Sequence, residues 1–408
     1  MSVLGILGAL FAVAAIFGSV SRRWLRLPIT VGTTLLTLVV SSGLMLVPSM
    51  HNWMQRIVQH LDFSSLVLHG MLPLLLFSGA FSLDLEELAR EKLPVAVLAI
   101  LGTVASFFLV AFLLAVSCGH RLAWVQCLLF GALISPTDPI AVLEMLRRVG
   151  ASSAVRAQLS GESLFNDGVG AVLFFAVLAA AHGEMVPAGR IAQMALAGAV
   201  GGVLLGVAGG WTASRLMRPV DAHSVDVLYT VALALGGYFL AEQWHVSAPL
   251  EAVTAGLALR YFNRHQPSCR IAHEPLDRFW ESLDEVQNSI LFLLLGLEAV
   301  AVRIDVFTGQ IGFTAIVLVN AVRFALVFLL LGLLQWIRRR EKIPVLVLGW
   351  GGLRGGLSIA LALTVPAALG GAWMVGATYV VVLFSILVQG GSMNWLLQVQ
   401  NRRAPRNR

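Results

Sequence analysis

Long apolar runs, separated by short polar stretches rich in arginine, recur along almost the whole chain. Runs of this length cross roughly 30 Å of hydrocarbon as single helices. The pattern predicts spans near 3–20, 28–47, 66–82, 93–117, 122–147, 158–182 and 190–213. It continues near 224–243, 247–263, 285–303, 308–337, 344–368 and 373–398, about thirteen spans in all. The opening run has no basic leader of the kind that marks a secretory signal, so it reads as a retained first span. Composition agrees: 58% of the 408 residues are hydrophobic and 12% are charged, against roughly 25% charged in a soluble domain. The expected fold class is an all-α polytopic membrane protein.

Charge then orients the spans. With an odd number of spans and the N-terminus outside, 22 of the 28 Lys and Arg residues fall on the inner side and only 4 on the outer. This is the bias that places basic loops in the cytoplasm. The net charge of +6 therefore reports topology, and nucleic acid is not an expected partner. Cys118, Cys127 and Cys269 show no metal or redox spacing. Trp53, Trp124, Trp211, Trp244, Trp280, Trp336, Trp373 and Trp395 lie near span ends, where interfacial anchors belong. Gly202, Gly206 and Gly210 repeat at small-xxx-small spacing on the seventh span, a signature of close helix packing.

Two runs carry polar residues that lipid should exclude. Ser135-Pro136-Thr137-Asp138-Pro139 interrupts the fifth, while Glu162, Ser163, Asn166 and Asp167 lie in the sixth. A mid-bilayer carboxylate costs about 2.5–3.5 kcal/mol on insertion scales, so it faces a cavity or a partner. The two prolines remove backbone donors and break the helix between them. Non-helical backbone at that depth survives only inside protein or against water. Broken helices of this kind surround ion sites in secondary transporters. Ser163 and Asp167 stand four apart and share a face; Glu162 and Asn166 form the adjacent stripe. Ser163, Asp167, Thr137 and Asp138, with carbonyls freed by the break, make an expected oxygen cage for a hard monovalent cation such as Na+. A lone carboxylate also takes a proton, since desolvation disfavours its charged form.

Arg323, at the centre of the eleventh run, needs an acidic partner, and Glu162 is the natural one. That leaves Asp167 for the ion. Arg354 lies within Gly351-Gly352-Leu353-Arg354-Gly355-Gly356, where the glycines let the helix unwind. This second interrupted span answers the first and suggests an inverted repeat.

Ile134 to Val142, Gly161 to Gly168, Gly352 to Gly356, and the stretch from Phe279-Trp280-Glu281 to Gly296-Leu297-Glu298 together resemble the monovalent cation/proton antiporters of the NhaP type. The resemblance extends over essentially the whole chain. It implies inverted repeats with two discontinuous crossing helices and elevator-type exchange of Na+, Li+ or K+ for H+ by a homodimer. It further implies dimerisation helices in 1–92 and 224–303, core helices in 93–182 and 304–398, a linker helix in 183–223 and a short tail in 399–408. Asp167 would bind cation and proton in competition, with Thr137 and Ser163 coordinating. Asn166, where some relatives carry a second aspartate, would accompany electroneutral one-for-one exchange. Glu162 and Arg323 would form a structural ion pair. The implied setting is a bacterial inner membrane, with no cofactor. One departure stands out: Ser78 occupies the place of a third-span glutamate found in many relatives. A channel is the alternative transport reading, although a single asymmetric site lacks a pore's repeated motifs. A membrane enzyme finds no support, since no metal-ligand spacing, phosphate loop or nucleophile elbow is present.

Overall fold

The computed structural model describes residues 3–46, 63–119, 121–148, 152–182, 188–217, 222–264, 273–302, 304–338 and 345–403. Trp53 and Cys269 lie outside these residues, as does the side chain of Trp336. Every regular element among them is helical. Besides a short helix at Leu85–Arg90, the first part of the chain forms α1 (Val3–Val20), α2 (Ile29–Met45), α3 (Phe63–Phe81), α4 (Lys92–Ser117), α5 (Trp124–Ile134), α6 (Ile140–Arg148) and α7 (Ser153–His182). They are followed by α8 (Ala188–Met217), α9 (His223–Gln243), α10 (Ala248–Arg264), α11 (His273–Ala301) and α12 (Val306–Arg338). The chain continues with α13 (Val345–Trp350), α14 (Gly356–Leu363) and α15 (Gly371–Gln398). Eight helices among the described residues are long and apolar enough to cross a membrane, and Ile29–Leu44 and Trp124–Ile134 are shorter apolar helices.

Both expected interruptions are present. The fifth run splits into α5 and α6 across Ser135–Pro139, and the twelfth splits into α13 and α14 across Gly351–Gly355. The reasons are local. Pro136 and Pro139 lack the amides that would continue α5, while Gly351, Gly352 and Gly355 lower the cost of extended backbone.

Packing divides the helices into two sets. In one, α4, α5, α7, α12, α14 and α15 pack on one another; in the other, α2 packs on α11, and α10 packs on α3, α8 and α9. α10 is the hub of the second set, and small residues make it so. The Gly202, Gly206 and Gly210 stripe lies directly on its backbone, and a β-carbon at Gly206 would come within 2.8 Å of the Ala255 amide. Association inside a bilayer rests on such close approach rather than on hydrophobic expulsion.

The tryptophans fall into two groups. Trp124, Trp211, Trp244 and Trp395 are exposed, as anchors should be. Trp280 is not an anchor: it is 0% exposed, packs on Phe77 at 4.8 Å between ring centroids, and donates from Nε1 to Thr230 Oγ1 at 3.1 Å. Its indole N–H finds a buried hydroxyl, so the span-end position no longer draws it to the interface. Trp373 is half-buried against Phe130.

Adding a methyl group to the α8–α10 contact tests its closeness. Gly206→Ala should cost about 1–3 kcal/mol through overpacking against backbone that cannot yield. The expected readout is a lower melting temperature in detergent, whereas Gly236→Ala, with nothing within 4 Å of its β-carbon, should match wild type.

Candidate functional site

The two extended segments cross and bind each other. The Asp138 amide donates to the Leu353 carbonyl at 2.9 Å. The Asp138 side chain accepts from the Ile140 amide at 3.0 Å, capping the start of α6. From the other segment, Arg354 donates through Nη1 to the Ser135 and Pro136 carbonyls at 3.0 and 2.9 Å, at the end of α5. A cation thus meets the negative end of one half-helix and an anion the positive end of the other, the arrangement helix dipoles favour. Gly355 lies against the Asp138 carboxylate, with no room for a β-carbon between them.

Arg354 is held from behind. Its amide donates to Ser385 Oγ at 3.0 Å, Ser385 donates to Gln389, and Gln389 Nε2 donates to Asn320 Oδ1 at 2.7 Å. Ser385 and Gln389 belong to a wider, π-type turn within α15, a local feature often found at functional sites.

The two stripes of α7 part company. Glu162 and Arg323 form a bidentate pair, buried to 1% and 9% exposure, and Arg323 Nη2 also reaches the Leu348 carbonyl at 3.1 Å. Asn166, on the same stripe, accepts from the Thr137 amide at 3.2 Å and donates from Nδ2 to Thr137 Oγ1 at 2.7 Å. Both ends of its amide are therefore spent on the broken helix.

Asp167 and Ser163 face the other way, into a cavity of about 240 Å³ that Thr137, Asp138 and Gly355 also line. Among the described residues, no hydrogen bond or ion pair engages the Asp167 carboxylate. The opposite wall comes from the second set of helices, through Ser78 of α3 and Glu281, Asp284 and Glu285 of α11. Arg147, Glu281 and Glu285 are exposed at its mouth. The cavity thus runs from a charged surface to a buried cluster of hydroxyl and carboxylate oxygens. Such a donor set suits a hard cation or a proton.

The structure brings Thr137, Asp138, Ser163 and Asp167 to one cavity and seats Asn166 behind it. Ser78 is buried beside the cavity and donates to the Trp280 carbonyl at 3.1 Å. Sequence reasoning missed the roles of Asp284 and Glu285 as cavity wall and of the Ser385–Gln389–Asn320 chain behind Arg354. The first had a signal in the spacing of Glu281, Asp284 and Glu285 on one helical face; the second had none.

The ion pair can be tested as a unit. Arg323→Ala should cost about 3–5 kcal/mol by leaving Glu162 buried without its partner, read as loss of assembled protein or a sharply lower melting temperature. Glu162→Leu combined with Arg323→Met should recover much of that loss.

Known proteins give the site its context. Residues 9–399 match the family described as sodium/hydrogen exchanger, transmembrane. The Na(+)/H(+) antiporter NhaP of Pseudomonas aeruginosa is 36% identical over 97% of this chain and 96% of its own length. The Na(+)/H(+) antiporter NhaH of Halobacillus aidingensis is 34% identical over 90% of this chain and 91% of its own. The sodium proton antiporter MjNhaP1 of Methanocaldococcus jannaschii superimposes with a TM-score of 0.75 at 20% identity, covering 97% of each chain. The match through both interrupted helices makes this chain a member of the transmembrane sodium/hydrogen exchanger family, multi-pass integral membrane transporters rather than enzymes.

Proposed function

We propose that the chain exchanges Na+ for H+ across the membrane, with Asp167 binding the two in competition. One observation carries this reading: among the described residues the Asp167 carboxylate has no hydrogen-bond or ion-pair partner, and it faces a cavity that also presents Thr137 and Ser163. A group so placed needs either a proton or a cation in that environment, and it holds one at a time. Thr137 and Ser163 supply further oxygens for the ion. Asn166 positions Thr137 rather than lining the cavity, and Asp138 stays with the α6 cap. The named relatives' cation makes Na+ the first choice, with Li+ and K+ of the same chemical class.

One monovalent ion against one proton at one carboxylate is an electroneutral exchange. Neutral Asn166 adds no second charge. The cavity lies between the two helix sets, so a displacement of α4–α7 and α12–α15 against the remainder would carry Asp167 from one surface to the other. In this elevator scheme α1–α3 and α9–α11 form the static scaffold and the homodimer interface, with α8 as linker. The arginine bias sets the N-terminus outside and the C-terminus in the cytoplasm of a bacterial inner membrane. The cavity mouth at Arg147 then faces the cytoplasm.

Inside-out vesicles holding a pH gradient provide the test. Adding Na+ should dissipate the gradient in wild type, and Asp167→Asn should be inert although present in the membrane at wild-type level. A wild type unresponsive to Na+, Li+ and K+ across a pH series would remove the proposal. Flux that does not saturate, or that proceeds without proton movement, would indicate a channel instead.

A further inference from the structure

Glu251 takes no part in the exchange scheme, yet its setting is chemically unusual. It lies in the first turn of α10, is 0% exposed, and neither carboxylate oxygen has a hydrogen-bond partner among the described residues. The carboxyl group occupies a notch left by Gly237 of α9, so tightly that a β-carbon there would overlap Oε1 and come within 2.8 Å of Cδ. On the α8 side, only the Glu251 backbone carbonyl and its neighbours meet Gly206. The preceding Leu250 packs on Gly168, beside Asp167, so Glu251 is turned about 100° around α10 from that contact and points to Gly237 of α9 instead.

Among the described residues no cation pairs with it: the nearby histidines, His69 and His245, are exposed, and His69 pairs with Glu242. From α9, Tyr238 lies near both Glu251 and Glu242, and neither Tyr238 nor Glu242 is cationic at neutral pH. The stretch of α8 from Ala192 to Ser214 contains no titratable residue, and neither does α3 from Leu72 to Phe81; His69, one turn earlier on α3, is the exposed partner of Glu242. The carboxylates of α7 are Glu162, which is paired with Arg323, and Asp167. The partial positive charge at the start of α10 is the one favourable field, and it fades within a turn. An ionised carboxylate buried without a counter-charge is far costlier than the neutral acid, which forgoes only ordinary hydrogen bonds.

We propose that Glu251 is a second proton-binding site, held as the neutral carboxylic acid, in the helix set that does not carry Asp167. The ligand is a proton and not a metal cation. A cation requires several oxygens around it, and here the surrounding backbone is engaged in helices while glycine forms the facing wall. A cleft of about 720 Å³ lies nearby, lined by His69, Tyr238, Glu242, His245 and Ser247, although Glu251 itself does not line it.

Infrared difference spectroscopy on the full chain in lipid tests this directly, in an Asp167→Asn background so that the ion-site carboxyl is silent. Near neutral pH a protonated-carboxyl C=O band is expected that shifts in D2O and disappears on adding Glu251→Gln. Spectra unchanged by that substitution would overturn the proposal. With Asp167 intact, Glu251→Gln should assemble and dissipate a pH gradient at the wild-type rate near neutral pH. Glutamine reproduces the shape and neutrality of the acid, so failure of this variant to assemble would count equally against it. The result does not depend on Na+ exchange: the band reports Glu251 whether or not vesicles respond to cations.

Discussion

The crossing of two unwound segments governs everything around it. Backbone with unmet hydrogen bonds is intolerable at membrane depth, and here each segment supplies what the other lacks. Asp138 donates its amide to Leu353 and turns its carboxylate to the start of α6, while Arg354 covers the last carbonyls of α5. The interaction is electrostatic as well as structural, because opposite charges stand at opposite half-helix ends. Removing either side chain would leave backbone groups at a half-helix end without their partner.

Around this crossing, the polar side chains of α7 divide into support and site. Glu162 and Asn166 are fully engaged, one with Arg323 and the other with Thr137. Ser163 and Asp167 are left to face the cavity. Rigidity on one stripe makes the other available: the helix that presents the free carboxylate is fixed from behind by a buried bidentate ion pair. Pairs of this type confer little net stability but are costly to break.

Much of this was legible in the residues. The prolines announced the first break and the glycine cluster the second, because both act on the backbone directly. The Glu162–Arg323 pair followed from the scarcity of mid-membrane charges: few partners exist, so elimination succeeds. Asn166 was harder to read. Its four-residue spacing from Glu162 indicated a stripe, but whether that stripe faced ion or helix depended on how α7 turns against α5. Trp280 was misread for a similar reason. Position along the span suggested an anchor, and only the packing of Phe77 and the placement of Thr230 reveal a buried ring. Ser385 and Gln389 stand four apart on α15, but their links to Arg354 and Asn320 join residues distant in sequence and left no periodic trace.

The amide at position 166 has an electrical consequence. Moving one elementary charge through a membrane potential involves about 2.3 kcal/mol per 100 mV. Under the proposed exchange, the translocating helices bear the same net charge whether Asp167 holds a proton or a sodium ion. Voltage then exerts no net pull on the cycle, and direction is set by the two concentration gradients alone. A protein built this way would run equally well in a de-energised cell, drawing on a sodium gradient to move protons or the reverse.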